Sequence, residues 1–146
     1  MCTRNIICTA IALLTISALF ACQVQLPTFK VIQVIDGDTV VIEGNHHVRY
    51  IGIDAPEKGE FCYLEATQAN KKLVEGKKVK VEKDTSERDK YGRLLYYVYV
   101  DNIFVNAEVV RLGYAQAIPY PPDIKHQRYL EAMEMEAKQL RNGIWK

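Results

Sequence analysis

Val48-Arg49-Tyr50-Ile51-Gly52-Ile53-Asp54-Ala55-Pro56-Glu57 changes character halfway along. Its first part alternates as a half-buried strand does, with Val48, Tyr50 and Gly52 on one face and Arg49, Ile51 and Ile53 on the other. It then delivers Asp54 and Glu57 to the strand's end, where Pro56 cannot donate to a ladder. An arginine and two carboxylates so close together could hold a cation and a phosphate at one point. Taken alone, the same residues read better as an edge strand with ordinary surface charges. The flanking sequence decides between these readings.

Upstream, Phe29–Val34 alternates, and Asp36-Gly37-Asp38-Thr39 interrupts it with an Asp-Gly turn pair, in which glycine takes positive φ freely. Thr39–Glu43 resumes as a β-branched run, Gly44-Asn45 turns the chain again, and His46–Ile53 forms the third strand of a β-meander. Downstream the period switches. Leu64, Ala66, Ala69, Leu73 and Val74 recur at helical spacing, with Gly76 as the stop. Lys78–Glu82 and Gly92–Val100 read as strands around the polar loop Asp84–Lys90, and Ile103–Val105 as a short strand. Asn106 is expected to cap a helix ending at Gly113, and Asp123, after the rigid Tyr120-Pro121-Pro122, to cap the last one. In that last helix Leu130, Met133, Ala137 and Leu140 form one apolar stripe, so Met133 is core filler and not a ligand. Strands followed by helices, with one helix inserted after the third strand, predict an α+β fold. The expectation is a five-stranded OB-fold β-barrel with about three packed helices.

The amino terminus is a separate matter. Ile6–Phe20 is apolar but too short for a membrane span, which needs about 20 residues. It fits a secretory signal. Leu19-Phe20-Ala21-Cys22 resembles a bacterial lipobox, in which cleavage precedes a cysteine that carries lipid. The expected organisation is a lipoprotein-type signal peptide over 1–21, a lipidated Cys22 with a tether over 22–27, and the folded domain over 28–146. That makes the protein exported and membrane-anchored, facing the periplasm or cell exterior. Cleavage near Ala21 without lipid would make it secreted, and an uncleaved anchor is the other alternative. Cys62 is then left without an internal disulfide partner, and no Cys/His cluster has zinc spacing. Of 19 basic residues, Arg4 lies in the leader, so the mature chain carries 18 against 18 acidic ones. Zero net charge excludes nucleic-acid binding by bulk electrostatics, so phosphate must be met by local clusters. Lys71, Lys72, Lys77, Lys78, Lys80 and Lys83 make a loose basic group, read as a solvated helix face and strand edge, with a nucleic-acid contact as the lesser alternative.

Three pieces then stand together: Asp36-Gly37-Asp38-Thr39, Arg49 with Asp54-Ala55-Pro56-Glu57, and Asp89-Lys90-Tyr91-Gly92-Arg93. They come from different strand ends, which a barrel can gather at one rim. With Asn106-Ala107-Glu108-Val109-Val110-Arg111-Leu112-Gly113 and Asn142-Gly143-Ile144-Trp145, the chain from Val31 to Trp145 resembles the staphylococcal nuclease, or thermonuclease, family. The resemblance implies a calcium-dependent endonuclease that cuts DNA and RNA to 3′-phosphate ends. It implies Asp38 and Asp54 as metal carboxylates, with the backbone carbonyl of Ala55 where well-known members have threonine. Arg49 and Arg93 are implied as phosphate-binding arginines and Glu57 as general base. Lys90 and Tyr91 are implied to contact a nucleotide phosphate, and Tyr120 to flank a base, although the proline-rich stretch around Tyr120 departs from the family pattern. A monomer is the default.

The chemistry asks for these residue types independently. Arginine pairs bidentately with phosphate oxygens and is always charged. Calcium takes hard oxygen ligands, so two carboxylates, a carbonyl and waters suffice. A carboxylate three residues past a metal ligand can reach the attacking water, as base or as orienter. The alternative is a non-catalytic OB-fold nucleic-acid-binding module, which would bind strands through basic grooves and stacked aromatics. Such a module is expected to lose Asp38, Arg49, Asp54, Glu57 or Arg93, and all five are present.

Overall fold

The computed structural model describes residues 25–146. The expected signal peptide, 1–21, and Cys22 lie outside the described residues. Strands β1 (Thr28–Val34), β2 (Thr39–Ile42) and β3 (His46–Tyr50) form the expected antiparallel meander. A register shift between Val31 and Gln33 inserts one extra residue, so Val31 and Val34 both point inward while Ile32 and Gln33 face out. This bulge breaks the plain alternation expected of Phe29–Val34. After α1 (Tyr63–Val74) come β5 (Lys78–Glu82) and β6 (Leu94–Val100), with β4 the two-residue strand Ile53–Asp54. β5 pairs antiparallel with both β1 and β6, and β3 pairs in parallel with β6. The ring β1-β2-β3-β6-β5 is therefore closed. Its interior is filled by β-branched residues that suit a pleated surface, among them the fully buried Val31, Val40, Val48, Val79 and Val98. Each such side chain contributes about 1.5–3 kcal/mol by leaving water.

The third strand stops earlier than its sequence pattern suggests. At Gly52 φ is +78°, and a Cβ there would lie 2.6 Å from Leu130 Cδ1, so only glycine fits. The chain turns, and β4 pairs with β8 (Gln116–Ala117). Ile51 and Ile53 consequently part company. Ile51 packs on Leu95 and Tyr97 outside the barrel, while Ile53 joins the main core.

Two expected helix caps are corrected. Helix α2 (Val105–Arg111), which follows β7 (Ile103–Phe104), begins one residue before Asn106. Asn106 is fully buried, accepts the Val98 N–H at 2.9 Å and donates to the Ile51 carbonyl at 2.9 Å. It ties α2 to β6 and to the turn after β3, because buried backbone groups left unpaired there need a partner more than a helix start does. Helix α3 (Gln127–Gln139) begins after His126, and Asp123 instead accepts the Ser86 N–H at 2.7 Å across the loop after β5. The apolar stripes are also narrower than predicted. Leu130 and Ala137 are buried and Met133 packs against the core, but Leu140 is exposed. In α1 the buried residues are Ala66, Thr67, Asn70 and Val74, and Leu64 is exposed. Among the described residues no helix is long and apolar enough to cross a membrane.

Candidate active site

One wall is lined by Arg49–Asp54, and the turn between β1 and β2 stands behind it. Asp36 Oδ1 accepts the Asp38 N–H at 3.0 Å, the usual work of an aspartate two residues upstream. Asn70 of α1 donates to the Asp36 carbonyl at 2.8 Å, while its own Oδ1 accepts the Tyr50 hydroxyl at 3.0 Å. Gly37 does not take the positive φ expected of an Asp-Gly turn. What it supplies is room, since a Cβ at this position would lie 2.6 Å from Ala55 Cβ and 3.0 Å from Ala66 Cβ.

The outcome is a buried Asp38, 5% exposed. Its Oδ1 accepts the Thr39 hydroxyl at 3.0 Å, and its Oδ2 accepts the Ala55 N–H at 2.6 Å. Thr39 faces Arg49 across the β2–β3 ladder, which brings the guanidinium to the same carboxylate. Arg49 Nη1 meets Asp38 Oδ2 as an ion pair that is off the hydrogen-bond line. Its Nη2 donates to Asp54 Oδ1 at 2.6 Å. Burial pushes the Asp38 carboxyl up to about 7, the Arg49 charge opposes that rise, and the neighbouring Asp36 adds to it.

Arg49 thus spans two carboxylates, with the backbone of Ala55 against the first. This donor set suits a hard divalent cation. Among the described residues no three His, Cys, Asp or Glu side chains gather, so side chains alone do not complete a site. Calcium accepts carbonyl and water oxygens for the remainder, and no histidine or cysteine lines the cleft to favour a softer metal. A cation's charge would also offset the desolvation that Asp38 suffers.

The loop 84–93 builds the other wall, and its organiser is Asp89. One carboxylate oxygen accepts the N–H groups of Tyr91 and Arg93 at 2.9 and 3.0 Å, and the other accepts Arg93 Nε at 2.7 Å. Burial by itself would raise the Asp89 carboxyl, but these hydrogen bonds outweigh it and hold it below the usual carboxylate range. Arg93 is gripped by its Nε edge, which leaves the paired Nη edge for a bidentate partner. Tyr91, 72% exposed, lies 5.0 Å from the Lys90 ammonium and 5.4 Å from the Arg93 guanidinium, measured to its ring centre.

The two walls face one cleft of about 390 Å³. It brings together Arg49, Asp54, Lys90, Tyr91, Arg93 and Tyr120, with Asp38 buried behind Arg49. Glu57 is not among the lining residues. It sits on the exposed turn after Pro56, its N–H donating to Glu60 Oε2 at 2.7 Å. The sequence reading gave no role to Asp89, although an Asp two residues before Tyr91 and four before Arg93 carries the signature of a side-chain-closed turn. Leu95 and Ile118 also line the cleft, and no sequence signal separates them from core residues.

The family model described as staphylococcal nuclease homologue matches residues 47–146. A thermonuclease of Staphylococcus hyicus is 35% identical over 127 residues, which cover 81% of this chain and 75% of that protein. A thermonuclease of Staphylococcus intermedius is 33% identical over 127 residues, 81% of this chain and 76% of that protein. Endonuclease YncB of Bacillus subtilis is 39% identical over 122 residues, 76% of this chain but 58% of that protein.

Proposed function

The chain belongs to the staphylococcal nuclease family, and on that premise we propose that it is a calcium-dependent endonuclease. Its substrates are DNA and RNA, its products carry 3′-phosphate ends, and it acts outside the cytoplasm, held to a membrane by lipid on Cys22. The observation that carries the nuclease reading is one cleft lined by both Arg49 and Arg93, from separate segments, together with Asp54, which Arg49 pairs. Calcium held by Asp38, Asp54 and the Ala55 carbonyl would neutralise phosphate charge and act as Lewis acid.

The chain's own residues do the rest. The free Nη edge of Arg93 takes two non-bridging oxygens of the phosphodiester, and this pairing strengthens as charge builds in the transition state. Arg49, tied to both carboxylates, presents its positive charge at the same phosphate. Lys90 and Tyr91 receive a neighbouring phosphate, and Tyr120 offers a ring for a base to stack on. Glu57 stands on the exposed turn three residues past Asp54, outside the cleft lining, and the family resemblance alone gives it the part of taking or orienting the proton of the attacking water, worth about 10²–10⁴-fold for a general base. What supports the proposed export and anchoring is the apolar run Ile6–Phe20 and the Leu19-Phe20-Ala21-Cys22 pattern.

The test is Arg93→Ala, assayed on a labelled oligonucleotide beside a urea unfolding curve. Loss of most turnover with the unfolding midpoint nearly unchanged is expected. Full turnover in the variant would contradict the site assignment.

A further inference from the structure

Three lysines share one exposed face of the barrel, away from the cleft. Lys30 of β1 and Lys78 of β5 are cross-strand partners, and Lys80, two residues on, pairs with Thr28. Alternation and pairing place all three on the same outer side, and all three are exposed. None of them forms an ion pair among the described residues. The exposed Glu43, whose N–H donates to the Lys30 carbonyl at 2.8 Å, is an acidic neighbour and also makes no ion pair. Glu82, further along the Lys78–Lys80 face of β5, is already engaged by Lys125, His126 and Tyr99. Like charges directly opposite each other destabilise a sheet, so Lys30 and Lys78 do nothing for the fold by facing one another. They form a local positive excess on a mature chain with no net charge.

The position of this face suggests its partner. In the ring β1-β2-β3-β6-β5 the cleft lies at the β3–β6 seam and the lysines at the β1–β5 seam. None of the three lysines lines the cleft, so a nucleic acid bound there meets Arg49, Lys90 and Arg93 instead. The Val81 N–H donates to the Pro27 carbonyl at 2.9 Å, so the chain arrives at β1 beside Lys80. Cys22 stands six residues before Thr28, an extended reach of at most about 20 Å. A lipid on Cys22 would bring the bilayer surface within reach of the lysine side of the barrel.

We propose that the Lys30–Lys78–Lys80 face is a membrane-docking surface for anionic lipid headgroups, which turns the cleft at the β3–β6 seam toward solvent and substrate. The proposal rests on the lipid-anchored reading only for what delivers the bilayer. Lipid with a basic patch is one of the two-signal combinations that give stable anchoring.

The experiment uses the full chain, exported from a bacterial host. The mature product is partitioned onto vesicles of phosphatidylcholine alone and of phosphatidylcholine with phosphatidylglycerol, at low and high salt. Retention on neutral vesicles reports the lipid, and the increment on anionic vesicles reports the lysines, so the two readings fail separately. A lysine near an anionic surface is worth about fivefold in partitioning, so roughly a hundredfold is expected for three, lost at high salt. Lys30→Glu/Lys78→Glu/Lys80→Glu should remove the increment, the corresponding glutamine triple should remove most of it, and both should cleave a short oligonucleotide at the parent rate. Equal partitioning of the parent onto both vesicle types would overturn the proposal. So would a triple variant that keeps the increment, or one that loses affinity for duplex DNA while binding vesicles as before.

Discussion

Asp89→Asn is the sharpest probe of how the cleft is preorganised. The asparagine keeps an oxygen for the Tyr91 and Arg93 N–H groups, so the turn survives. Its amide nitrogen, however, replaces the oxygen that accepts Arg93 Nε at 2.7 Å, and donor then faces donor. A hydrogen bond to a charged partner is worth about 1.5–3 kcal/mol. The Asp89 side chain is 8% exposed and that of Arg93 29%, so water replaces the lost partner only in part. Released from its grip, the guanidinium swings, and a displacement of about 1 Å at a reacting group costs on the order of 10²-fold. Asp89→Asn is therefore expected to lower kcat/KM about 10²-fold and stability by about 1–2 kcal/mol. Asp89→Ala, which drops all three hydrogen bonds, should cost about 2–4 kcal/mol with a similar or larger loss of activity. Steady-state cleavage of a fluorescent oligonucleotide, paired with urea melts, separates these effects. Full activity in Asp89→Asn would refute the reasoning, as would an activity loss that only tracks the unfolded fraction.

Two further outcomes follow from the packing. Glu82 is drawn from its ordinary 4.5 to about 2, because hydrogen bonds from Lys125, His126 and Tyr99 outweigh the burial that would raise it. A depressed carboxylate stabilises the fold fully above about pH 4.5, and the contribution fades as pH falls toward about 2. Allowing for the half-exposed Lys125, it is worth about 1–3 kcal/mol at neutral pH. Glu82→Gln should therefore be less stable than the parent in neutral urea melts and converge with it near pH 2; a constant gap across that range would refute the linkage. At Gly37 an added methyl meets Ala55 and Ala66, so Gly37→Ala should cost about 1–3 kcal/mol in a urea melt and lower activity by displacing the backbone beside Asp38. A neutral effect on both would show that the turn relaxes freely.

Much of this architecture was legible in the residues themselves. The meander, the inserted helix and the long sixth strand followed from period and turn chemistry, because local preference and tertiary packing agree there. The misreadings have a shared cause. Asn106 and Asp123 look like caps locally, yet both answer backbone groups far away in sequence, Val98 and Ile51 for one and Ser86 for the other. The bulge in β1 and the break at Gly52 likewise depend on neighbours, since the Leu130 side chain that crowds Gly52 lies on α3. At the site, residue types pointed to Arg49, Asp54 and Arg93, but no pattern within one segment says that Arg49 links Asp38 to Asp54. That link needs the β2–β3 register, which sets Thr39 opposite Arg49. Asp89 escaped notice because its function lies in its hydrogen bonds to neighbours and not in a group offered to substrate.

The activity proposed for this protein is a calcium-dependent phosphodiester cut made in the cleft between Arg49 and Arg93. The most direct measurement is cleavage of single-stranded DNA, double-stranded DNA and RNA by the exported protein, with calcium and with a chelator, followed by end-group analysis. Cleavage with calcium only, leaving 3′-phosphate ends, is the predicted result. Cleavage that survives the chelator would contradict the roles given to Asp38 and Asp54, and a folded protein that binds these strands without cutting them in any metal would contradict the claim as a whole.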